Sequence, residues 1–171
     1  MEETKENTRA TISNCSAYRY ELHRVWDLDK PKVLFIMLNH STADAIHDDA
    51  TTIRCINYAK RWGFGSMMIG NIYPYRTKSP RELMAWKTFG ETYSVFKRNK
   101  QHVKMMIDTA DLIVCAWGSN HQGIPDWLKH YDLHCLELCN DGITPKHPLG
   151  NLSKDLKPRA LQTKYDNGWI I

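Results

Sequence analysis

Side chains suited to hydrolytic chemistry gather after the first long apolar segment of the chain, residues 33–38. The polar stretch that follows begins at Asn39 and includes Asp44, and an adjacent pair, Asp48 and Asp49, comes shortly after it. An asparagine amide can hold a water molecule, and a nearby carboxylate can polarise that water or stabilise a cationic transition state. The same residue types also form turns and helix N-termini. The stretch therefore predicts either a water-activating site or a capped turn.

A second group of functional side chains follows the apolar segment 67–72. Asn71 offers a donor and an acceptor to the edge of a nucleobase, and Tyr73 offers a ring on which a base can stack. The cations that come next suit phosphate groups and are Arg76, Lys78 and Arg81. Taken singly, Asn71 fits a turn and Tyr73 fits a core equally well. The combination indicates recognition of a nucleotide.

A histidine late in the chain is held between two prolines. Pro145 and Pro148 restrict the backbone on either side of His147, so its imidazole has a defined direction. The chain contains eight histidines, and a lone histidine in a loop usually has no special role. His147 is a candidate because it is braced and follows a predicted strand.

Positive charge is concentrated in the middle of the chain. Residues 50–104 contain 11 basic and 2 acidic side chains, whereas the whole chain has a formal net charge of +4. Phosphate backbones select such surfaces because each neutralised phosphate releases counterions. A solvated basic face on an ordinary domain would have the same composition. Charge therefore makes a polyanionic partner plausible without deciding the question.

These side chains need a framework, which the apolar pattern predicts. Continuous apolar segments typical of buried strands occur at 33–38, 67–72, 112–117 and 133–138. Helical patterns lie between them, at 51–62, 79–86 and 92–109, and a further edge strand or hairpin is expected at 18–26. The alternation predicts an α/β fold of three αβα layers around a central four-stranded, mainly parallel sheet. Ligands bind beyond the carboxyl ends of such strands, where the polar segments lie.

Length and composition limit the class of protein. The 171 residues are 42% hydrophobic and 25% charged, which predicts one core and a single domain over residues 1–171. Neither a membrane-spanning apolar run nor a signal peptide is found, so we expect a cytoplasmic protein without membrane contacts. The five cysteines have no CxxC spacing, which predicts reduced thiols. We expect no metal and no cofactor.

Four blocks of the sequence, in this order, resemble the motifs of the uracil-DNA glycosylase superfamily. They are closer still to an uncharacterised-domain family that has Asn-Pro-Ser-Thr-Ala-Asp after its first strand. The blocks are residues 38–41, 70–76, 112–118 and 146–149. In turn, they are similar to the first catalytic motif, the strand end with the base-reading Asn, the apolar strand that ends in Gly, and the final His-Pro motif. The resemblance spans residues 24–152.

This resemblance implies a uracil-DNA glycosylase-like fold and a monofunctional DNA glycosylase. Such an enzyme flips a nucleotide out of the stack and hydrolyses its N-glycosidic bond without a covalent intermediate, leaving an abasic site. Asn39 would position the water, and His147 would donate to the departing base. Asp44 or Asp48 would supply a carboxylate. The residues expected to bind the base are Asn71, Tyr73 and His40.

The resemblance also implies that the partner is DNA, with no obligate protein partner. Contacts to DNA are expected from Arg76, Lys78, Arg81, Lys146 and Leu149, the last as a candidate wedge in the base stack. His40 stands where the family has proline. The cysteine pattern of the iron–sulfur branch is absent, so no cluster is expected.

Small side chains in the first polar loop, such as Ala43, Ala45 and Ala50, indicate room around the bound base. Related domains resemble defence proteins that remove enlarged pyrimidines from phage DNA. We therefore expect a modified pyrimidine as substrate, with glucosylated hydroxymethylcytosine as the candidate, and a role in antiviral defence.

Two other classes stay open. A non-catalytic nucleic-acid-binding module would need the basic segment and the tyrosines alone. A nucleotide- or nucleoside-processing enzyme would use the same loops, although the chain lacks both GxGxxG and the lysine-containing phosphate loop of nucleotide-triphosphate enzymes.

Overall fold

Four parallel strands form the centre of the sheet in the computed structural model, which describes residues 8–39, 47–90 and 93–161. In the spatial order β4-β3-β5-β6, they are β4 (Ser66–Asn71), β3 (Lys32–Met37), β5 (Leu112–Cys115) and β6 (His134–Cys135). Every residue of β3 after the first is buried, as expected for a strand that is covered on both faces. The predicted α/β class is confirmed.

Three antiparallel strands extend this centre, so the prediction of a four-stranded, mainly parallel sheet is wrong. They are β1 (Arg9–Ile12), β2 (Arg19–Val25) and β7 (Arg159–Ala160). The sheet formed by the described residues is mixed, in the order β1-β2-β4-β3-β5-β6-β7. β2 lies inside it, between β1 and β4, and not at the expected edge.

The charged residues of β2 are not typical of an interior strand, so its place inside the sheet was not predicted from the sequence. Glu21 and Arg24 belong to this strand, and both are buried. The two carboxylate oxygens of Glu21 contact His23 Nε2 at 2.8 Å and His102 Nδ1 at 2.6 Å. Burial of a charge is tolerated when it is paired and hydrogen-bonded in this way. Because His102 is distant in the chain, the pairing could not be read from the sequence around β2.

Helices cover both faces of the sheet. They are α1 (Ala50–Arg61), α2 (Pro80–Ala85), a π-helical turn (Trp86–Gly90) and α3 (Tyr93–Ile107). The side chain of Asp49 accepts the Thr52 N–H and begins α1, and Ser79 accepts the Glu82 N–H and begins α2. The predicted helices are therefore present, and the π-helical turn is an addition that the pattern did not reveal.

The core is divided by the sheet into two apolar clusters. On one face, Tyr58 of α1 packs in a cluster with Phe35 of β3. On the other face, Leu83 of α2 and Val103 of α3 pack in a cluster with Leu34. Adjacent residues of β3 thus point to opposite clusters, as the pleat of a strand requires. The sheet lies between two helical layers. The loops at the carboxyl ends of its parallel strands line a cavity.

A short segment, residues 152–156, lies along α1 and is called here the strap. Four side chains of α1 and its C-terminal cap donate to main-chain oxygens of the strap. Arg54 Nη2 donates to Leu152 O at 2.8 Å, Tyr58 Oη to Ser153 O at 2.7 Å, Trp62 Nε1 to Leu156 O at 2.8 Å, and Arg61 Nη1 to Lys154 O. The donors share one helix face because of their spacing. The strap ties the segment that follows His147 to α1.

No helix within the described ranges has both the length and the apolar character needed to cross a membrane. The five cysteines are free thiols. Burial raises the pKa of Cys55 and of Cys115 well above the ordinary value, so neither thiol is a nucleophile at neutral pH.

Candidate functional site

A cavity of about 490 Å³ lies at the carboxyl ends of the parallel strands. Asn39 enters it directly after β3, Asn71 from the last position of β4, and His147 from the loop that follows β6. The three segments singled out in the sequence therefore meet at one place, as the geometry of a parallel sheet predicts. The polar and charged side chains of the lining include Arg19, Asn39, Asp49, Asn71, Tyr73, Lys78, Lys87, Asn120 and His147.

The imidazole of His147 is held in one tautomer. The Leu149 N–H donates to His147 Nδ1 at 3.2 Å, so in the neutral ring the proton resides on Nε2. Burial lowers the pKa of His147, and the nearby Asp49 carboxylate opposes that shift in part. At neutral pH the site consequently contains an uncharged imidazole with an Nε2–H donor.

Gly118 allows the His147 loop to approach the end of β5. Its φ is +76°, and a Cβ at this position would lie 3.1 Å from His147 Cβ. The Gly118 N–H also donates to Pro145 O at 2.9 Å. A glycine is required here both for the left-handed backbone and for the close approach. In the structure this glycine thus makes room for the loop that carries His147.

The amide of Asn39 is oriented by the loop after β4. Asn39 Nδ2 donates to Thr77 O at 2.7 Å, and the side chain is half-buried at the cavity wall. Thr77 is itself fixed, because its hydroxyl accepts the Ser79 N–H at 3.0 Å at the start of α2. The orientation of the Asn39 amide is thus coupled to α2.

The exit of β4 is positioned by a buried amide that the sequence analysis missed. Asn99 of α3 is fully buried, and its Nδ2 donates to Asn71 O at 2.8 Å and to Ile72 O at 3.1 Å. These two bonds fix the backbone that carries Asn71 into the cavity. A signal was present, since Asn99 interrupts the apolar stripe of α3 at a position where Phe96 and Val103 continue it.

Tyr73 forms an aromatic part of the cavity wall. Lys87 Nζ lies 4.6 Å from the centre of the Tyr73 ring. The Phe96 ring stacks on the Tyr73 ring with 6.4 Å between the ring centres. The Tyr73 hydroxyl lies 3.4 Å from His121 Nδ1. Burial, and then the charge of Lys87, lower the pKa of His121. The Tyr73 ring is therefore buried and held on several sides, and the predicted stacking of a base on it stays a prediction.

The carboxylate at the cavity is Asp49 and not Asp48. Asp48 Oδ1 accepts from Arg24 Nε at 2.9 Å and Nη2 at 2.7 Å, and Asp48 is not part of the cavity lining. Asp49, which belonged to the predicted polar group but was not chosen as catalytic, both caps α1 and lines the cavity. The predicted residues Asp44 and His40 lie outside the described residues. Among those that are described, no three His, Cys, Asp or Glu side chains are grouped to hold a metal ion.

Two of the cations predicted to contact DNA are engaged within the protein. Arg76 Nη1 donates to Ser16 O at 3.1 Å, and Lys146 Nζ pairs with Glu137 Oε2 at 2.7 Å. Both contacts stabilise loops beside the cavity and do not direct the cations into it. Their predicted role in binding DNA stays a prediction.

The other predicted DNA contacts lie on the open surface. Lys78 lines the cavity and is exposed, and Arg81 is exposed on α2. Leu149 is 51% exposed and faces a second cavity along α1. Two other lining residues were not predicted: Lys87 lies in the π-helical turn and Asn120 in the loop after β5, and only tertiary packing decides that these positions face the cavity.

Comparison with known proteins gives a family but no activity. A model of the family described as "Protein of unknown function (DUF1643)" matches residues 19–149. This range contains all of the side chains that line the cavity at the strand ends. No curated protein and no solved structure matches the chain.

Proposed function

The chain belongs to the DUF1643 family, to which no function is attached, and we propose that it is a monofunctional DNA glycosylase. The observation that carries the proposal is that Asn39, Asn71 and His147 line one cavity although they come from three separate segments. The similarity of residues 24–152 to the uracil-DNA glycosylase superfamily gives each of them a role. Asn39 would hold the water, Asn71 the base, and His147 the leaving group.

The proposed reaction breaks the bond between C1′ of the deoxyribose and the base nitrogen. The base departs with the bonding electron pair, and the sugar becomes oxocarbenium-like. His147 donates a hydrogen bond from Nε2–H to the negative charge that develops on the base. The water held by Asn39 adds to C1′ and loses a proton, leaving an abasic site and a free base.

Asp49 takes the role that the sequence analysis gave to Asp44 or Asp48. Its carboxylate lines the cavity and acts on the ionisation of His147, which places its negative charge close to that ring. A carboxylate that lines the same cavity can stabilise positive charge on the sugar and can accept the proton that the water loses.

The proposed substrate is an enlarged pyrimidine in phage DNA, with glucosylated hydroxymethylcytosine as the candidate, and the proposed role is antiviral defence. The cavity of about 490 Å³ falls in the range of about 300–1,000 Å³ typical of sites that enclose whole small molecules. Ala50 at its rim is small, and Asn120 and Lys87 offer donors to sugar hydroxyls. These features support a base that carries a polar substituent.

The experiment compares plain DNA, DNA with uracil, and DNA with glucosylated hydroxymethylcytosine as substrates. Released bases are identified by mass spectrometry, and abasic sites by alkaline cleavage. The wild type should release one modified base, Asn39→Ala should release none, and Leu28→Ala should behave as the wild type because Leu28 is an exposed loop residue. Release of uracil at an equal or higher rate would contradict the proposed substrate, and no release from any DNA would contradict the glycosylase.

A non-catalytic nucleic-acid-binding module is the second candidate. The exposed cations Lys78 and Arg81, in a segment with 11 basic and 2 acidic residues, favour it. Salt-sensitive binding of every DNA, with no base released and no effect of Asn39→Ala, would support this module.

A further inference from the structure

Large apolar side chains are exposed beside the cavity on the α2 side. Phe89 is 90% exposed and Met84 is 58% exposed, and Met84 also lines the cavity. Tyr93, at the start of α3, is 80% exposed. Large apolar groups exposed together next to a cavity are typical of binding surfaces. Phe89 and Met84 are called here the Phe89 patch.

The π-helical turn fixes the outward position of Phe89. Trp86, the first residue of the turn, is buried. Its ring stacks on that of Tyr75, with 5.3 Å between the ring centres and 3° between the ring planes. A Cβ at Gly90 would lie 2.9 Å from Trp86 Cδ1, so glycine allows the turn to close on the indole. Met84 lies in the last turn of α2, and Phe89 lies in the π-helical turn that directly follows it. The packing of Trp86 therefore holds the backbone of the turn that contains Phe89.

Residues 76–91, the segment that includes this patch, contain four basic and two acidic side chains. Lys78 and Lys87 line the neighbouring cavity, and Arg81 is exposed on α2. The Glu82 carboxylate, by contrast, accepts a hydrogen bond from the Thr77 hydroxyl. Exposed aromatic rings among cations are the pattern by which proteins bind single-stranded nucleic acid, since bases stack on the rings and phosphates lie at the cations. The chemistry favours a nucleic acid over an apolar protein surface.

We propose that the Phe89 patch is a stacking platform for the base next to the nucleotide held in the cavity. Lys78 and Arg81 contact the phosphates on either side of that base. The inference rests on the proposed function, because flipping one nucleotide leaves its neighbour without a stacking partner, which Phe89 then replaces. The platform lies on the opposite face of the sheet from α1, whereas the candidate wedge Leu149 lies on the α1 side.

The first test measures binding of a fluorescently labelled single-stranded oligonucleotide that contains only ordinary bases, by anisotropy. Loss of one base–aromatic stack predicts about tenfold weaker binding by Phe89→Ala. Phe89→Trp should keep the wild-type affinity. Leu28→Ala is the matched control, because Leu28 is 83% exposed in the loop between β2 and β3 and has no place in the platform. Equal affinities of wild type and Phe89→Ala, or equal losses in Phe89→Ala and Leu28→Ala, would overturn the platform.

A second test replaces each base of the oligonucleotide in turn by an abasic unit. At one position the abasic unit should weaken binding by the wild type and leave binding by Phe89→Ala unchanged, because both changes remove the same stack. Independent effects at every position would overturn the platform. So would wild-type self-association in sedimentation that Phe89→Ala abolishes while its affinity for the oligonucleotide stays unchanged.

Measuring base release by the wild type shows whether the platform or the proposed glycosylase activity has failed. Phe89-dependent binding of single strands without release of any base would overturn the glycosylase and support the platform. Release of a base, with binding and rate identical in Phe89→Ala, would overturn the platform and support the glycosylase.

Discussion

The two sides of the cavity are held in different ways. The His147 wall, formed by Asp49 and His147 with Gly118 beside the histidine loop, is held by hydrogen bonds to main-chain atoms. The α2 wall, formed by Lys78, Met84, Lys87 and the Phe89 patch, presents long cations and exposed apolar groups instead. Bond-breaking chemistry loses rate steeply when a group moves by about 1 Å, whereas stacking and phosphate contacts tolerate adjustment. Under the proposed function, we therefore expect bond breaking at the first wall and recognition at the second.

The largest effect should come from removing the imidazole of the His147 wall. We expect His147→Ala to lower the rate of base release by about 100-fold or more, the usual cost of losing a donor to a developing anion. Affinity for DNA should change far less, because the exposed cations Lys78 and Arg81 lie on the α2 side and are untouched by this substitution. Single-turnover base release and anisotropy, measured on the same preparation, check this. A parallel loss of rate and affinity would remove the distinction between the walls.

Acid should weaken the frameworks behind the two walls to different extents. The hydrogen bond from His23, followed by that from His102, lowers the pKa of Glu21 from 4.5 to about 2, against the opposing effect of burial. Because the folded pKa is depressed, Glu21 stabilises the fold fully above pH 4.5, and this contribution is lost as the pH falls towards 2. The full contribution of Glu21 to the free energy of unfolding is on the order of 3 kcal/mol.

The hydrogen bonds between α1 and the strap serve as the reference for this acid effect, because their main-chain acceptors do not titrate. Hydrogen exchange in acid should therefore lose protection in β2 and α3, which Glu21 joins, before α1 and the strap. Glu21→Gln should lower stability at neutral pH and flatten its dependence on acid, measured by denaturant unfolding. The same acid dependence in Glu21→Gln as in the wild type would contradict the role of this carboxylate.

Gly118→Ala should damage the His147 wall without touching the α2 wall. The added Cβ would lie 3.1 Å from His147 Cβ and would occupy a backbone with φ of +76°. We expect about tenfold slower base release from the displaced imidazole, and about 1–2 kcal/mol of lost stability from the strained backbone. Gly142→Ala is the control, since its φ is +72° with nothing within 4 Å of the added Cβ. It should lose similar stability and keep the wild-type rate.

The smallest effect should come from a single bond of the strap. Tyr58→Phe removes the donor to Ser153 O and should lower the free energy of unfolding by about 1 kcal/mol. Tyr93→Phe, at an exposed position of α3, should leave it unchanged. Thermal unfolding measures both variants, and an equal shift in the two would show that the strap bond does not stabilise α1.

The sequence predicted the parallel centre of the fold well because its signals are local. Strand β3 is a continuous apolar run, and α1 and α2 begin at Asp49 and Ser79, which cap them as their residue types suggest. Strand β2 was misplaced because its burial depends on pairs such as Glu21 with His102, which lie far apart in the chain. Local patterns identify elements, and distant pairs decide how many strands join the sheet.

The same division holds for the candidate site. Asn39, Asn71 and His147 could be chosen from the sequence because each follows an apolar segment, and such positions converge in a parallel sheet. The preference for Asp48 over Asp49 failed because the choice depends on Arg24, which binds one of two adjacent carboxylates. Asn99 was missed because its role lies in two main-chain oxygens of another element.

The strap has a consequence for how its sequence can vary. Its four bonds from α1 and the cap Trp62 end on main-chain oxygens, which every amino acid possesses. Three side chains add to these bonds, because Leu152 is buried, Leu156 packs against the core, and Asp155 pairs with Arg61 at 2.9 Å. The donors lie within the residues matched by the family model, and the strap begins after that match ends at residue 149. Position 154, which contributes its main-chain oxygen to Arg61, should therefore accept most substitutions, which makes it a suitable place for a reporter group.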